Sequence, residues 1–239
     1  MKILTHNVYW FQGAPSRWGT ERVAEVSEVF EALCRLYSSL DVDVLCLQEV
    51  HHSCLVARLA QKLGMRTFFH APGGLRPDYG GAILCREDAS LKDCTHEPTG
   101  EPHERIHLRA SFSELELASV HLPSNRFANS VAEGDIARVS ELSRALRNLP
   151  KPNVVVGDMN CKPESLPYQF MADADYTDTA VAASGDAVFK PRVDYMWLDP
   201  EWADRLVGFE VLDEGDFCRE TQGVAWQLSD HPPLLMEIR

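Results

Sequence analysis

Asn153-Val154-Val155-Val156-Gly157-Asp158-Met159-Asn160 is the stretch whose reading settles the architecture. Three successive β-branched residues favour a pleated, extended backbone. All three are apolar, so the predicted strand must be covered on both faces. Gly157 closes the run, and two short polar side chains, Asp158 and Asn160, follow at once. Val44-Leu45-Cys46-Leu47 is built the same way and closes on Gln48-Glu49. Working outward, Lys2 to Tyr9, Gly81 to Cys85, Ile106 to Phe112, Leu115 to His121, Val193 to Leu198 and Leu234 to Ile238 also read as strands. Ser113-Glu114 reads as a hairpin connection between two of them. Helical spacing relates Val23, Val26, Phe30, Leu33 and Tyr37, with Thr20 as cap and Glu21 in the first turn. A second helix is expected from Ser53 to Leu63, stopped at Gly64, and a third from Val131 to Leu149, weakly interrupted at Gly134. Strands that need cover on both faces, with helices between them, predict two packed β-sheets with helices outside. No linker, repeat or low-complexity tract divides the chain, so one domain from residue 1 to 239 is expected.

Composition excludes several classes. An apolar fraction of 45% and a charged fraction of 25% are those of a globular protein, not of a disordered chain, a collagen or a coiled coil. A chain of 239 residues buries roughly 70–75% of its unfolded surface and needs no covalent staple. No apolar run is long enough for a membrane span. Lys and Arg total 23 against 36 Asp and Glu, a net charge of −13. That balance opposes tight, non-specific binding to duplex DNA through many phosphates. Screening beyond about 8–10 Å still allows a local pocket to hold a phosphate. Seven cysteines without a Cys-x-x-Cys pair, behind an N-terminus with no secretory pattern, point to reduced thiols and a cytoplasmic location; separately, a monomer is expected.

The chemistry gathers at strand ends. Asn7, Glu49, His121, Asp158 with Asn160, and Asp230 with His231 each sit at or just beyond an apolar strand, and Asp194 sits one residue inside its own. Strand ends are rigid mounts on which side chains can converge. Taken singly, each has a plain reading: Asn7 as a turn former, Gly-Asp-x-Asn as an Asx turn, Ser229-Asp230-His231-Pro232 as a polar turn. Phosphoester hydrolysis needs a cation against the anionic substrate, a positioned water and stabilisation of the leaving oxygen. Glu49 offers a hard carboxylate oxygen suited to Mg²⁺ or Mn²⁺, Asn7 adds an amide oxygen, and Asp230 is a second carboxylate candidate. The cysteines have no spacing suited to zinc.

The order of these pieces resembles the endonuclease/exonuclease/phosphatase superfamily, the fold of deoxyribonuclease I. The matching stretches are Thr5-His6-Asn7-Val8, Leu47-Gln48-Glu49-Val50, Gly80-Gly81-Ala82-Ile83, Val120-His121-Leu122, Val156-Gly157-Asp158-Met159-Asn160, Arg192-Val193-Asp194-Tyr195 and Ser229-Asp230-His231-Pro232. Gly-Asp-x-Asn with a later Ser-Asp-His is the specific part. The resemblance implies an α/β fold, a four-layer α/β/β/α sandwich of two mixed sheets with outer helices. It also implies dependence on a divalent metal and hydrolysis of phosphoesters. By similarity, Asp158 orients or deprotonates the attacking water and Asn160 holds the substrate or that water. His231 and Asp194 correspond to the family's His–Asp pair, and His121 would donate to a phosphate oxygen. The abasic-site endonucleases of this family carry an acidic residue where Tyr9 stands here, which argues against that branch.

A metal-dependent phosphodiesterase of nuclease type, acting on short or single-stranded nucleic acid, is the leading expectation. A phosphatase or lipid-type phosphodiesterase acting on a small phosphorylated alcohol is the alternative, and a catalytically inactive binding module the third. Arg76, Arg105, Arg109, Arg126, Lys190 and Arg192 are candidate phosphate clamps, each with an equal claim to be ordinary surface arginine or lysine. His51 and His52 are either pocket residues or a solvated helix start. Trp10 and Tyr79 either stack on substrate or pack in the core. Residues 10–19, 71–79, 122–130 and 184–192 are the loops expected to set specificity.

Overall fold

The computed structural model describes residues 1–14, 26–96, 101–184, 192–221 and 224–239. Its strands are β1 (Lys2–Asn7), β2 (Val44–Gln48), β3 (Thr67–Ala71), β4 (Gly81–Cys85), β5 (Ser90–Asp93), β6 (Ile106–Ser111) and β7 (Glu116–His121). They continue with β8 (Val154–Asp158), β9 (Thr177–Asp178), β10 (Asp194–Leu198), β11 (Leu206–Val211), β12 (Cys218–Thr221), β13 (Val224–Gln227) and β14 (Leu234–Ile238). The helices are α1 (Ser27–Leu40), α2 (Ser53–Leu63), α3 (Val131–Arg147), α4 (Leu166–Asp173), α5 (Thr179–Ser184) and α6 (Pro200–Ala203). Two six-stranded sheets, ordered β11-β14-β1-β2-β4-β3 and β5-β6-β7-β8-β10-β9, pack face to face, and β12-β13 form a separate ribbon.

The apolar runs owe their composition to this double cover. Val44 and Cys46 of β2, and Val154 and Val156 of β8, enter the core between the sheets. Leu45 and Leu47 turn the other way, under α1 and α2. Val155 joins Leu142 of α3 and Met171 of α4 on the far side of the second sheet. Alternate residues therefore feed different cores, and no position in such a strand faces water. The result is the α/β/β/α sandwich that the family resemblance implied.

Three expectations are corrected, and a fourth falls outside the described residues. The first strand stops at Asn7, and Tyr9–Phe11 form a turn with left-handed φ values of 45°, 52° and 57°. Phe112 and Leu115 lie outside the strands and close the β6–β7 connection by a hydrogen bond from Phe112 N to Leu115 O (2.9 Å), a longer loop than Ser113-Glu114 alone. Helix α3 stops at Arg147 and passes through Gly134 without a break. Helix α1 is described from Ser27, and the expected cap and first turn at Thr20, Glu21 and Val23 lie outside the described residues. The edge strands β3, β5 and β11 carry partly exposed or mixed side chains, so they lack the run of apolar residues that marks central strands.

Register brings the strand ends level. Strands β1 and β2 run parallel with Asn7 opposite Gln48, and β7 and β8 run parallel with His121 opposite Asp158. Strand β10 runs antiparallel to β8, which sets its first residue, Asp194, opposite Asp158. Strand β14 runs antiparallel to β1, so the preceding Ser229-Asp230-His231 reaches the same edge. Gly157 permits the close approach of β8 to β7. Its φ is +134°, and a Cβ there would stand 1.9 Å from Val120 O, a position that only glycine occupies.

Candidate active site

Asn7 is the link between the sheets. Its Nδ2 donates to Glu49 Oε1 (3.2 Å) and to Asp158 Oδ2 (3.1 Å), while its Oδ1 accepts from Tyr9 N (3.1 Å). The plain turn-forming reading of Asn7 and its placement among the acidic residues therefore both hold in one side chain. Nε2 of His121 stands 3.0 Å from Asp158 Oδ2 and 4.0 Å from Glu49 Oε1. Asp158 Oδ1 accepts from Asn160 N (2.9 Å), and Asn160 Nδ2 donates to Leu122 O (3.1 Å). Asn160 has φ +48°, which an Asn tolerates better than most residues. Glu49 has φ +58°, a conformation of higher cost for a long side chain, of the kind that concentrates at functional sites.

His231 and Asp194 form a hydrogen-bonded pair, Nδ1 to Oδ2 at 2.7 Å. Burial disfavours a charged imidazole, but Asp194, Asp158 and Asp230 together outweigh it and hold His231 well above the ordinary histidine range. The loop that carries His231 is tied down twice. Ser229 Oγ donates to Asn7 O (2.6 Å), and His6 Nε2 donates to His231 O (2.9 Å). With Nε2 protonated, His6 Nδ1 accepts from the Tyr37 hydroxyl (2.5 Å). Burial pushes His6 down to about 3, so this ring stays neutral and its tautomer stays fixed. His6 and Ser229 lie within stretches that carry the family resemblance, but the sequence assigns them no role, and Tyr37 carries no signal there beyond its place on the buried face of α1.

Of the candidate clamps among the described residues, Arg105 is the one brought into the cluster. It is 4% exposed, its Nη1 meets His121 Nε2, and its guanidinium lies 4.3 Å over the Tyr79 ring. Its Nε has no hydrogen-bond partner. Arg76 covers the Phe127 ring at the rim (3.8 Å). Arg109 is bound at the opposite end of its strand, to Glu116 and Pro150 O, and Arg192 is paired with Asp178. Arg126 is exposed, and Lys190 lies outside the described residues. Trp10 and Tyr79 are buried and pack on each other at 5.2 Å, with Tyr79 reaching His121 (6.0 Å) and Phe127 (6.2 Å). They wall the site from within. His51 packs against Trp10, and His52 is the exposed cap position of α2.

The donor set suits a hard cation. Glu49 is 6% exposed, and its Oε2 is buried with no hydrogen-bond partner. Burial pushes its carboxyl up to about 7; Arg105 opposes that shift and Asp230 adds to it. A divalent cation relieves the same desolvation that a proton relieves, so Glu49 with the neighbouring Asp230 fits Mg²⁺ or Mn²⁺, whereas Asn7 turns its Nδ2 to the carboxylates and its Oδ1 to Tyr9 N. Asp158, Asp194 and His231 also bring ligand atoms within 4.8 Å of one another. There the 2.7 Å bond between His231 and Asp194 already engages two of the three groups, and a ring nitrogen suits softer ions.

The family model described as the endonuclease/exonuclease/phosphatase family matches residues 4–231. Among solved structures, the chain is similar to an AP endonuclease from Archaeoglobus fulgidus, at 18% identity and a TM-score of 0.70, covering 100% of this chain and 99% of that one. A mannosyl-6-phosphatase from Bacteroides thetaiotaomicron is similar at 14% identity and a TM-score of 0.69, covering 100% and 99%. A 3′ phosphatase from Neisseria, bound to a product DNA hairpin, is similar at 17% identity and a TM-score of 0.66, covering 100% and 99%. No curated protein sequence matches the chain. With the model matched over nearly its whole length, and the acidic and histidine residues of the matching stretches gathered at one edge of the sandwich, the chain belongs to the endonuclease/exonuclease/phosphatase family.

Proposed function

We propose that residues 1–239 act as one domain that hydrolyses phosphoesters with the help of Mg²⁺ or Mn²⁺, as a phosphodiesterase of nuclease type. The observation that carries this reading is the cluster of Glu49, Asn7, Asp158, His121 and Arg105 beside the His231–Asp194 pair. Glu49 and Asp230 would hold the cation, joined by Asn7 once its amide turns over to present Oδ1 in place of Nδ2, and the cation when bound would neutralise phosphate charge. Asp158 orients or deprotonates the attacking water, and Asn160, fixed by its bond to Leu122 O, holds that water or the substrate. His231, kept cationic by Asp194, faces the phosphate. Arg105 and His121 supply donors to its oxygens. Retention of all these groups argues against an inactive binding module.

Short or single-stranded nucleic acid is the preferred substrate. A net charge of −13 leaves few cations to spread along a duplex, so binding involves the few phosphates around the site. A small phosphorylated alcohol is the second reading, favoured by the sugar phosphatase among the similar structures. Free thiols such as Cys46, Cys85 and Cys161 support a reducing, cytoplasmic setting. Among the described residues no helix is long and apolar enough to cross a membrane.

The test is a panel of bis-p-nitrophenyl phosphate, p-nitrophenyl phosphate, single-stranded and duplex DNA, RNA, a sphingomyelin analogue and an inositol phosphate, each with Mg²⁺, Mn²⁺ or chelator. Metal-dependent cleavage of diesters and single strands is expected. Full activity in chelator overturns the metal reading, and activity confined to monoesters moves the assignment to the phosphatase. Calcium-loaded protein that binds a labelled duplex with nanomolar affinity and a steep salt dependence overturns the substrate preference.

A further inference from the structure

We infer that Glu141, on the third turn of α3, is a positioning residue that holds Arg105 in the site; this rests on the role proposed above for Arg105. Glu141 is 5% exposed, unusual for a helix carboxylate outside the cluster of strand ends. Both of its oxygens engage one segment of chain, with Arg144 of the same helix at the margin of ion-pair distance from Oε1 (3.9 Å). Oε1 accepts from Glu104 N (2.7 Å), and Oε2 lies 3.1 Å from His103 Nδ1. His103 is itself 1% exposed. The next residue is Arg105.

The other edge of this segment is already occupied. The carbonyls of His103, Glu104 and Arg105 accept from Leu75 N (3.1 Å), Arg76 N (2.9 Å) and Gly74 N (2.7 Å). Those bonds set the segment against the neighbouring loop, while the Glu104 N–H points towards α3, where Glu141 receives it. Arg138, one turn earlier on the same helix, grips the chain that follows His121. Its Nη1 donates to Pro123 O (2.8 Å) and its Nη2 to Asn125 Oδ1 (2.9 Å). Gly134 leaves room for that loop, since a Cβ there would stand 2.3 Å from Asn125 Oδ1. Ile106 and His121 are register partners across β6 and β7. Helix α3 thus fastens the chain before Arg105 and the chain after His121, and the two side chains meet in the site.

Two properties of Glu141 are separable, its reach and its charge. A guanidinium displaced by about 1 Å from a phosphate costs up to about 100-fold in rate. Glu141→Gln keeps the reach and an amide oxygen for Glu104 N–H, whereas Glu141→Asp keeps the charge and withdraws the carboxylate by one methylene. Both are measured with Mn²⁺ on bis-p-nitrophenyl phosphate, alone and in an Arg105→Ala background, with thermal melts to verify folding. Glu141→Asp should lose about tenfold or more in kcat/KM, and Glu141→Gln should stay within about threefold of wild type. In the Arg105→Ala background Glu141→Asp should cost no more than about twofold further, because residues acting as a unit are not additive. Calorimetric titration of the same proteins with inorganic phosphate should rank them in the same order. Equal losses in Gln and Asp, wild-type behaviour of Asp, or a full loss that persists without Arg105 each overturn the inference. A wild-type protein inactive on every phosphoester overturns the proposed function instead, and the phosphate titration then decides the positioning role separately.

Discussion

Glu49→Gln should make the metal-free protein more stable near pH 8, although it removes a residue of the site. Burial raises the Glu49 carboxyl from 4.5 to about 7. The folded chain therefore holds that proton more tightly than the unfolded chain does. The stability it contributes is complete below pH 4.5, declines as the pH rises and is gone above about 7. Each pH unit of displacement is worth about 1.4 kcal/mol, so the loss amounts to about 3 kcal/mol. Glutamine does not ionise, and its amide oxygen can accept from Asn7 Nδ2 as Glu49 Oε1 does. In a chain of this length each kcal/mol moves the melting temperature by about 2–4 °C, so the variant should melt about 6–12 °C higher in chelator. The same comparison near pH 5 should bring the two proteins close together. Millimolar Mg²⁺ should then stabilise wild type preferentially, by about 2.7 kcal/mol at 100 times its dissociation constant. Calorimetric melts at the two pH values, with and without metal, provide the measurement. Identical melts of variant and wild type in chelator near pH 8 would refute the argument that Glu49 is a desolvated carboxylate waiting for a cation.

Asp158→Asn should lower turnover by about 10²–10⁴-fold while leaving the Mn²⁺ concentration needed for half-activity unchanged; a shift in that concentration would make Asp158 primarily a metal ligand. Because Asp194 helps hold His231 well above the ordinary range, Asp194→Asn should let the imidazole lose its proton at lower pH. The alkaline limb of the rate profile then moves down, and an unmoved limb would separate the two residues. The double variant Asp194→Ala/His231→Ala should lose little more than His231→Ala alone. Tyr37→Phe removes the donor to His6 Nδ1 and should cost about 1–3 kcal/mol of stability by leaving a buried acceptor unpaired. Melts and kcat both equal to wild type would show that the Tyr37–His6 strut does not support His231.

The sequence by itself determined the central strands and the kinds of group at their ends. Val154-Val155-Val156 and Val44-Leu45-Cys46-Leu47 are apolar at every position because both faces are covered. That property is local, so it survives in the linear order of residues, as does the helix-ending glycine Gly64. The edge strands β3, β5 and β11 are half exposed, so polar residues or glycine interrupt their apolar ones and leave no continuous run of the kind that marks the central strands. Which strand ends meet was decided by the tertiary structure, since Asn7 reaches Asp158 across 151 positions and His6 reaches His231 across 225. The choice among the arginines was decided there too. Arg105 and Arg109 lie on the same stretch of chain, yet one meets His121 and the other meets Pro150 O at the far end of the sheet. Four residues of extended chain separate them by about 13 Å, and only the folded sandwich says which end carries the site.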